Sequence, residues 1–142
     1  MNDSKDAFGS GMTYEQMADY VRSAGYSRLV GAELLSCADG KAEIRIPYRE
    51  DLTQNHGFIH GSVIGYLADA SCAWAAASVV GDCRTSEYKI NLLAPGAGEA
   101  FIGKGEVVKA TRRTVVTRSD VFAVLDGVEK LVAIATATMM RV

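Results

Sequence analysis

The chain has 142 residues, 49% hydrophobic and 23% charged, with a formal net charge of −2. That length suits one domain, and a domain of this size buries roughly two-thirds of its unfolded surface. So small a net charge excludes a chain drawn as a whole to nucleic acid or to an anionic membrane, and an anionic ligand would need a local basic site.

The start, MNDSKDAFGSG, has no apolar run and carries two acids, so it does not read as a secretory signal. A flexible leader is expected over 1–12 and the domain over 13–142. Thr13 can cap a first helix, with Gln16 where a capping box wants it. Tyr14, Met17, Ala18 and Val21 recur at helical spacing, and Gly25 can end the helix.

The period then changes to that of strands. Leu29 to Ala38 predicts a strand, Asp39-Gly40 a tight turn, and Ala42 to Tyr48 the return strand. In the return strand Ala42, Ile44 and Ile46 alternate with Lys41, Glu43 and Arg45, with Pro47 tolerated near its end. Arg49 to His60 reads as a polar loop. Gly61 to Val80 reads as one long helix of small apolar residues, closed by Gly81-Asp82. Four strands follow: Thr85 to Leu93, Ala100 to Thr111, Thr114 to Leu125 and Lys130 to Arg141. Short connections between them argue for antiparallel pairing. The expected architecture is α+β, a single sheet of about six strands with one long helix against its concave face.

Within GSVIGYLADASCAWAAASVV, Asp69 is the only charged residue. Helices apolar on nearly every side are buried, and an ionised carboxylate is costly to bury without partners. Asp69 must therefore be paired, be protonated or face a cleft. A structural aspartate is one reading. A membrane span is another, opposed by the central acid, the interior Trp74 and the flanking hairpins. A functional carboxylate is the third.

The residues upstream favour function. Thr53-Gln54-Asn55-His56-Gly57-Phe58-Ile59-His60-Gly61-Ser62 brings two side-chain amides, both histidines and two glycines to a helix N-terminus. First-turn N–H groups bind negative oxygen, and glycine lets a substrate carbonyl approach the backbone. Asp69 lies eight residues after Gly61, so base and oxyanion site share one stretch of helix. His60 alone reads more readily as structural than catalytic. His56 and His60 fall outside any HExxH pattern, so no metal is expected. Cys37, Cys72 and Cys83 are odd in number and widely spaced, which fits reduced thiols in a cytoplasmic setting. There is no GxSxG elbow.

The run Gln54 to Ser62, followed by Leu67-Ala68-Asp69, resembles the signature of PaaI-like hotdog acyl-CoA thioesterases. In that family an acid follows the histidine of an HGG turn by nine positions, the spacing of His60 and Asp69 here. The segment Thr85-Ser86-Glu87-Tyr88-Lys89-Ile90-Asn91-Leu92-Leu93-Ala94-Pro95 is similar to the family's strand after the helix. The resemblance covers residues 28–142 and implies a hotdog fold. It implies protomers paired edge to edge, often as dimers of dimers, with a site at the dimer interface. Asp69 would be general base, or nucleophile through a mixed anhydride. The Gly61 N–H would polarise the thioester carbonyl, Gln54 or Asn55 would hold the carbonyl or the water, and Thr85 would help place the water. The second glycine of HGG is Ser62 here, and the family's asparagine position holds Gln54, with Asn55 one residue late.

Coenzyme A would enter as part of the substrate, with no separate cofactor. Lys109, Arg112 and Arg113 cluster with Arg118 around a late turn, where they could hold phosphates or simply be solvated. No nucleic-acid or membrane partner is expected. Two other readings stay open: a non-catalytic acyl-CoA-binding module and a hotdog hydratase or dehydratase. Aryl, medium-chain and long-chain thioesters all satisfy these residues, as does a carrier-protein thiol.

Overall fold

The computed structural model describes residues 11–142. Residues 1–10 of the expected leader lie outside them. At Met12 the chain is already attached, its N–H donating to Ala77 O at 2.9 Å. The capping box forms at Thr13, whose N–H donates to Gln16 Oε1 at 2.9 Å while its hydroxyl accepts from the Gln16 N–H. Helix α1 (Tyr14–Ser23) buries Met17, Ala18 and Val21.

The sequence expectation then fails over a few residues. Gly25 does not end a helix; it begins a second one, α2 (Gly25–Val30), after a break at Ala24. The strand expected from Leu29 starts at Glu33. Gly31, at φ 72°, supplies the left-handed residue that stops α2. A short apolar pair such as Leu29-Val30 suits a helical turn as well as a strand, and periodicity cannot separate the two.

From there the expected elements appear. Strands β1 (Glu33–Ala38) and β2 (Lys41–Pro47) are joined through Asp39 and Gly40, both at positive φ as a primed turn requires. A 3-10 turn at Glu50–Leu52 interrupts the loop. Helix α3 (Gly61–Val80) has the expected bounds. Four strands follow: β3 (Cys83–Leu92), β4 (Ala100–Ala110), β5 (Thr114–Leu125) and β6 (Val128–Arg141). The six strands form one sheet in the order β1-β2-β4-β5-β6-β3, with every pairing antiparallel. This sheet wrapped around α3 is the hotdog fold.

Alternation decides which residues meet the helix. Ala42, Ile44 and Ile46 of β2, Phe101 of β4, Val115 and Val121 of β5, and Ala133, Ala137 and Met139 of β6 are buried facing Leu67, Ala68, Cys72, Ala75 and Ala76 of α3. Among the described residues α3 is the one helix long and apolar enough to cross a membrane, and its burial against the sheet accounts for that composition. Contact is closest at β4. A Cβ on Gly103 would stand 2.5 Å from Leu67 O, and one on Gly105 would stand 2.1 Å from Ser71 O. The hydroxyls trapped there are satisfied: Ser71 and Ser119 share a hydrogen bond of 2.7 Å, and Thr117 donates to Ala137 O at 3.1 Å.

Gly105→Ala therefore has to push the helix backbone off the sheet, because no side chain can yield. It should cost about 2–3 kcal/mol. Gly25→Ala, with nothing within 4 Å of the new methyl, should be neutral or stabilise by up to about 1 kcal/mol. Urea midpoints of the two variants test the contrast.

Candidate active site

The segment before α3 is folded back on itself. Thr53 and Ile59 form an isolated antiparallel bridge. The Gln54 N–H donates to Phe58 O at 2.8 Å, and Gly57, at φ 82°, donates its N–H to Gln54 O at 3.0 Å. The Gln54 side-chain oxygen accepts from the His56 N–H. Asn55 and His56 sit exposed at the tip. The return limb delivers His60, whose N–H donates to Leu52 O at 2.9 Å.

His60 is the N-cap of α3. Its extended backbone (φ −65°, ψ 140°) points the imidazole at the first turn, where Nδ1 accepts from the Ser62 N–H at 2.9 Å. The proton of a neutral ring is thereby assigned to Nε2. Gly61 is the first helical residue. Its N–H has no intrahelical acceptor by position and donates to no protein group among the described residues.

Asp69 lies two turns further on, partly exposed. Its Oδ1 accepts from the Thr85 hydroxyl at 2.6 Å. It belongs to the stripe Ser62, Tyr66, Asp69 and Ala73, spaced by four, three and four residues, which the sheet leaves partly uncovered. Strand β3 runs beside this stripe. Thr85 sits at Asp69; the Tyr88 hydroxyl lies 3.3 Å from where a Cβ on Gly65 would be, and Leu92 lies 3.5 Å from the same position on Gly61. Strand β3 pairs with β6 on one side only, so Asp69 opens beside a free sheet edge.

Asp69 and Thr85 thus come together, and His60 adjoins Gly61 at the helix start, while Gln54 is held toward the hairpin tip by Phe58 and His56; the Asp69 group and the helix-start group stay apart. Eight residues of helix separate Gly61 from Asp69, about 12 Å along the axis. One carbonyl cannot touch both within a single chain, and the sharing of a short stretch expected from sequence does not bring them together.

Tyr66 was not singled out by the sequence reading, although its place between Ser62 and Asp69 on one helix face was readable. Its hydroxyl is 2.8 Å from Ser27 Oγ, and its ring packs on Tyr26 at 5.4 Å. Burial pushes its phenol upward, against the opposing Ser27 bond. Burial also pushes the Cys72 and Cys83 thiols up to about 11, helped in both by the nearby Asp69 and in Cys83 by Asp82. These thiols are neutral at pH 7 and are not nucleophiles. Among the described residues no three His, Cys, Asp or Glu side chains group as metal ligands.

Lys109, Arg112 and Arg113 are exposed around the β4–β5 turn, which Thr111 and Thr114 tie together. Strand register aligns Val115, Met139 and Thr85 in one row and Thr114, Met140 and Arg84 in the next. The turn therefore lies at the sheet end where Asp69 meets Thr85, about 10 Å across two strand spacings. Arg84 and Arg141 share that end, as does Asp82, whose carbonyl accepts from the Val142 N–H. Only strand pairing reveals Arg84 and Arg141 as neighbours of the turn.

A cavity of about 240 Å³ opens at the start of α3, between α2 and the Asp51–Thr53 turn. Another, of about 360 Å³, lies along α1 and is lined by none of the candidate site residues.

The sequence model of the thioesterase superfamily matches residues 56–129. The fold superposes on a thioesterase family protein from Silicibacter pomeroyi with a TM-score of 0.85 at 34% identity, covering 90% of this chain and 97% of that one. A single-residue variant of the phenylacetic acid degradation protein PaaI from Thermus thermophilus gives a TM-score of 0.74 at 30% identity, covering 84% and 100%. A protein of Saccharolobus solfataricus, named provisionally as an esterase, is 29% identical over 102 residues, 70% of this chain and 72% of its own.

The cap geometry gives a test of what His60 does. His60→Ala should lower stability by about 1 kcal/mol, and His60→Asn, a good cap, should recover most of it. Urea unfolding of the two variants decides; equal losses would remove the cap from the account.

Proposed function

Because this chain belongs to the thioesterase superfamily, as a PaaI-like hotdog protein, we propose that it hydrolyses acyl-CoA thioesters with Asp69 of one protomer and the Gly61 N–H of a partner acting on one carbonyl. Thioester or ester hydrolysis is the activity of the family. The observation that carries the finer reading is the 2.6 Å bond from Thr85 to Asp69. The Thr85 proton occupies Oδ1 and orients the carboxylate, which leaves Oδ2 to accept from a water.

In this mechanism that water attacks the carbonyl carbon and gives its proton to Oδ2. The oxyanion is held by the partner's helix N-terminus, where Gly61 leads the first turn. Collapse breaks the C–S bond, and the proton on Asp69 passes to the departing thiolate. Attack by Asp69 itself, through a mixed anhydride, is the variant course. Gln54, whose oxygen is engaged by the His56 N–H, would offer its NH2 group to the carbonyl; Asn55 is the neighbouring alternative. One oxyanion donor is worth about 3–4 kcal/mol and a general base roughly 10²–10⁴ in rate, enough for an already activated thioester.

The 12 Å span requires two chains. The free edge of β3 supports their pairing, since a ten-residue strand with one unpaired side is a template for another. Antiparallel pairing of two β3 strands would extend the sheet and cover the Asp69 stripe. Exposed Val116, Ile134 and Met140 on the outer sheet surface support a further dimer of dimers. Arg112 and Arg113, with Lys109 and the added Arg84, are the proposed phosphate contacts. The three free thiols fit a cytoplasmic setting.

Thiol release from a panel of acyl-CoAs tests the reading. Wild type should hydrolyse some of the panel. Asp69→Asn should lose at least about 100-fold in kcat while keeping its melting temperature and oligomeric mass. Full turnover in that variant would remove Asp69 from the chemistry. Arg112→Ala with Arg113→Ala should raise KM for coenzyme A esters and leave KM for short thioesters lacking the nucleotide within about twofold. An equal rise for both would discard the phosphate contacts.

A further inference from the structure

The cavity at the start of α3 is lined by Tyr26, Leu29, Val30, Leu52 and Val63, and by His60 and Ser62. We infer that it receives the acyl group of the substrate, and that Tyr26 and Leu29 of α2 set the size of acyl group the protein takes. This inference rests on the thioesterase reading and adds to it the substrate class, a compact acyl group such as one ring or a short chain.

Position is the first argument. His60 and Ser62 are the two neighbours of Gly61. A thioester whose oxygen meets the Gly61 N–H therefore lies beside two residues that line the cavity. Asp51 also lines the cavity, but Arg49 holds its carboxylate at 3.0 Å and so offsets its charge beside an apolar guest.

Size is the second argument. An apolar cavity of about 150 Å³ takes benzene, and pockets for drug-sized ligands start at about 300 Å³. A space of about 240 Å³ lies between these, right for a ring on a short arm or for a short chain. A long fatty chain exceeds it.

The wall itself is the third. Leu29 is 64% exposed and Tyr26 50%, so apolar surface stands open at the cavity. An acyl group that covers it gains the usual hydrophobic increment for each buried methylene. The wall is also fixed in place. Ser27 bonds the Tyr66 hydroxyl at 2.8 Å, Tyr26 packs on the Tyr66 ring, and Arg49 donates to Leu29 O at 3.0 Å. A fixed wall measures length, whereas a loose one would adapt.

The test measures kcat/KM for acetyl-, hexanoyl-, benzoyl- and palmitoyl-CoA. Wild type should prefer hexanoyl or benzoyl over palmitoyl. Leu29→Trp, which fills the cavity from an exposed position, should lower the hexanoyl-to-acetyl and benzoyl-to-acetyl ratios at least tenfold. Tyr26→Ala, which opens the wall, should raise the palmitoyl-to-hexanoyl ratio, and it keeps the test decisive if the tryptophan variant fails to fold. Unchanged ratios in a folded variant, or a wild-type preference for palmitoyl, would overturn the inference while thioester hydrolysis stands. No hydrolysis of any member by wild type would instead overturn the thioesterase reading, and the acyl pocket with it.

Discussion

A twenty-residue helix with one charged side chain has to be covered on nearly every side, and a single sheet covers only part of it. Here the sheet comes as close as backbone allows. Gly103 and Gly105 remove the side chains that would strike Leu67 O and Ser71 O, so α3 settles against β4 and its small residues interlock with the inward alternation of the other strands. What the sheet cannot reach is the stripe Ser62, Tyr66, Asp69 and Ala73. That remainder lies beside β3, the strand with an open edge. Burial of the apolar faces thus decides where the only acid of the helix ends up: at the boundary between the protein's own sheet and whatever pairs with it.

Much of this was readable from residues alone, because strong local signals agreed with the global fold. The helix Gly61–Val80 is bounded by a capping histidine and a glycine, and its unbroken apolar run left no competing period. Thr13 with Gln16 and Asp39-Gly40 are local devices whose chemistry does not depend on distant contacts. The acid at position 69 stood out because nothing else in its helix was charged. Elements that depend on tertiary contacts were harder to read. Helix α2 is two turns long, and its register is set by Ser27 on Tyr66 and by Arg49 on Leu29 O, partners 39 and 20 residues away. Arg84 and Arg141 approach the Arg112-Arg113 turn only through strand pairing.

The residues of the candidate site could be picked out along the sequence, but their spacing in three dimensions could not. Counting residues gave the spacing of Gly61 and Asp69 correctly, and proximity in sequence then suggested proximity in space. A helix makes that inference fail, since each residue advances the axis by about 1.5 Å. Under the proposed function the separation calls for two chains, as does the interface site that the family resemblance implies, and the free edge of β3 is the feature that can join them. On this account catalysis and assembly are one property. The carboxylate oriented by Thr85 is incomplete until a second copy brings its helix start across the shared edge.

The most direct measurement of that claim is subunit complementation. Asp69→Asn removes the base, and Gly61→Pro removes the first N–H at a position where proline leaves a helix intact; the extended His60 before it accommodates the ring. Differently tagged copies of the two variants are co-expressed, and the mixed dimer is isolated and assayed for thiol release. A shared site predicts that both parental homodimers are nearly inactive while the mixed dimer regains one working site, about half the wild-type turnover. A folded mixed dimer as inactive as its parents would show that base and oxyanion donor do not meet across the interface.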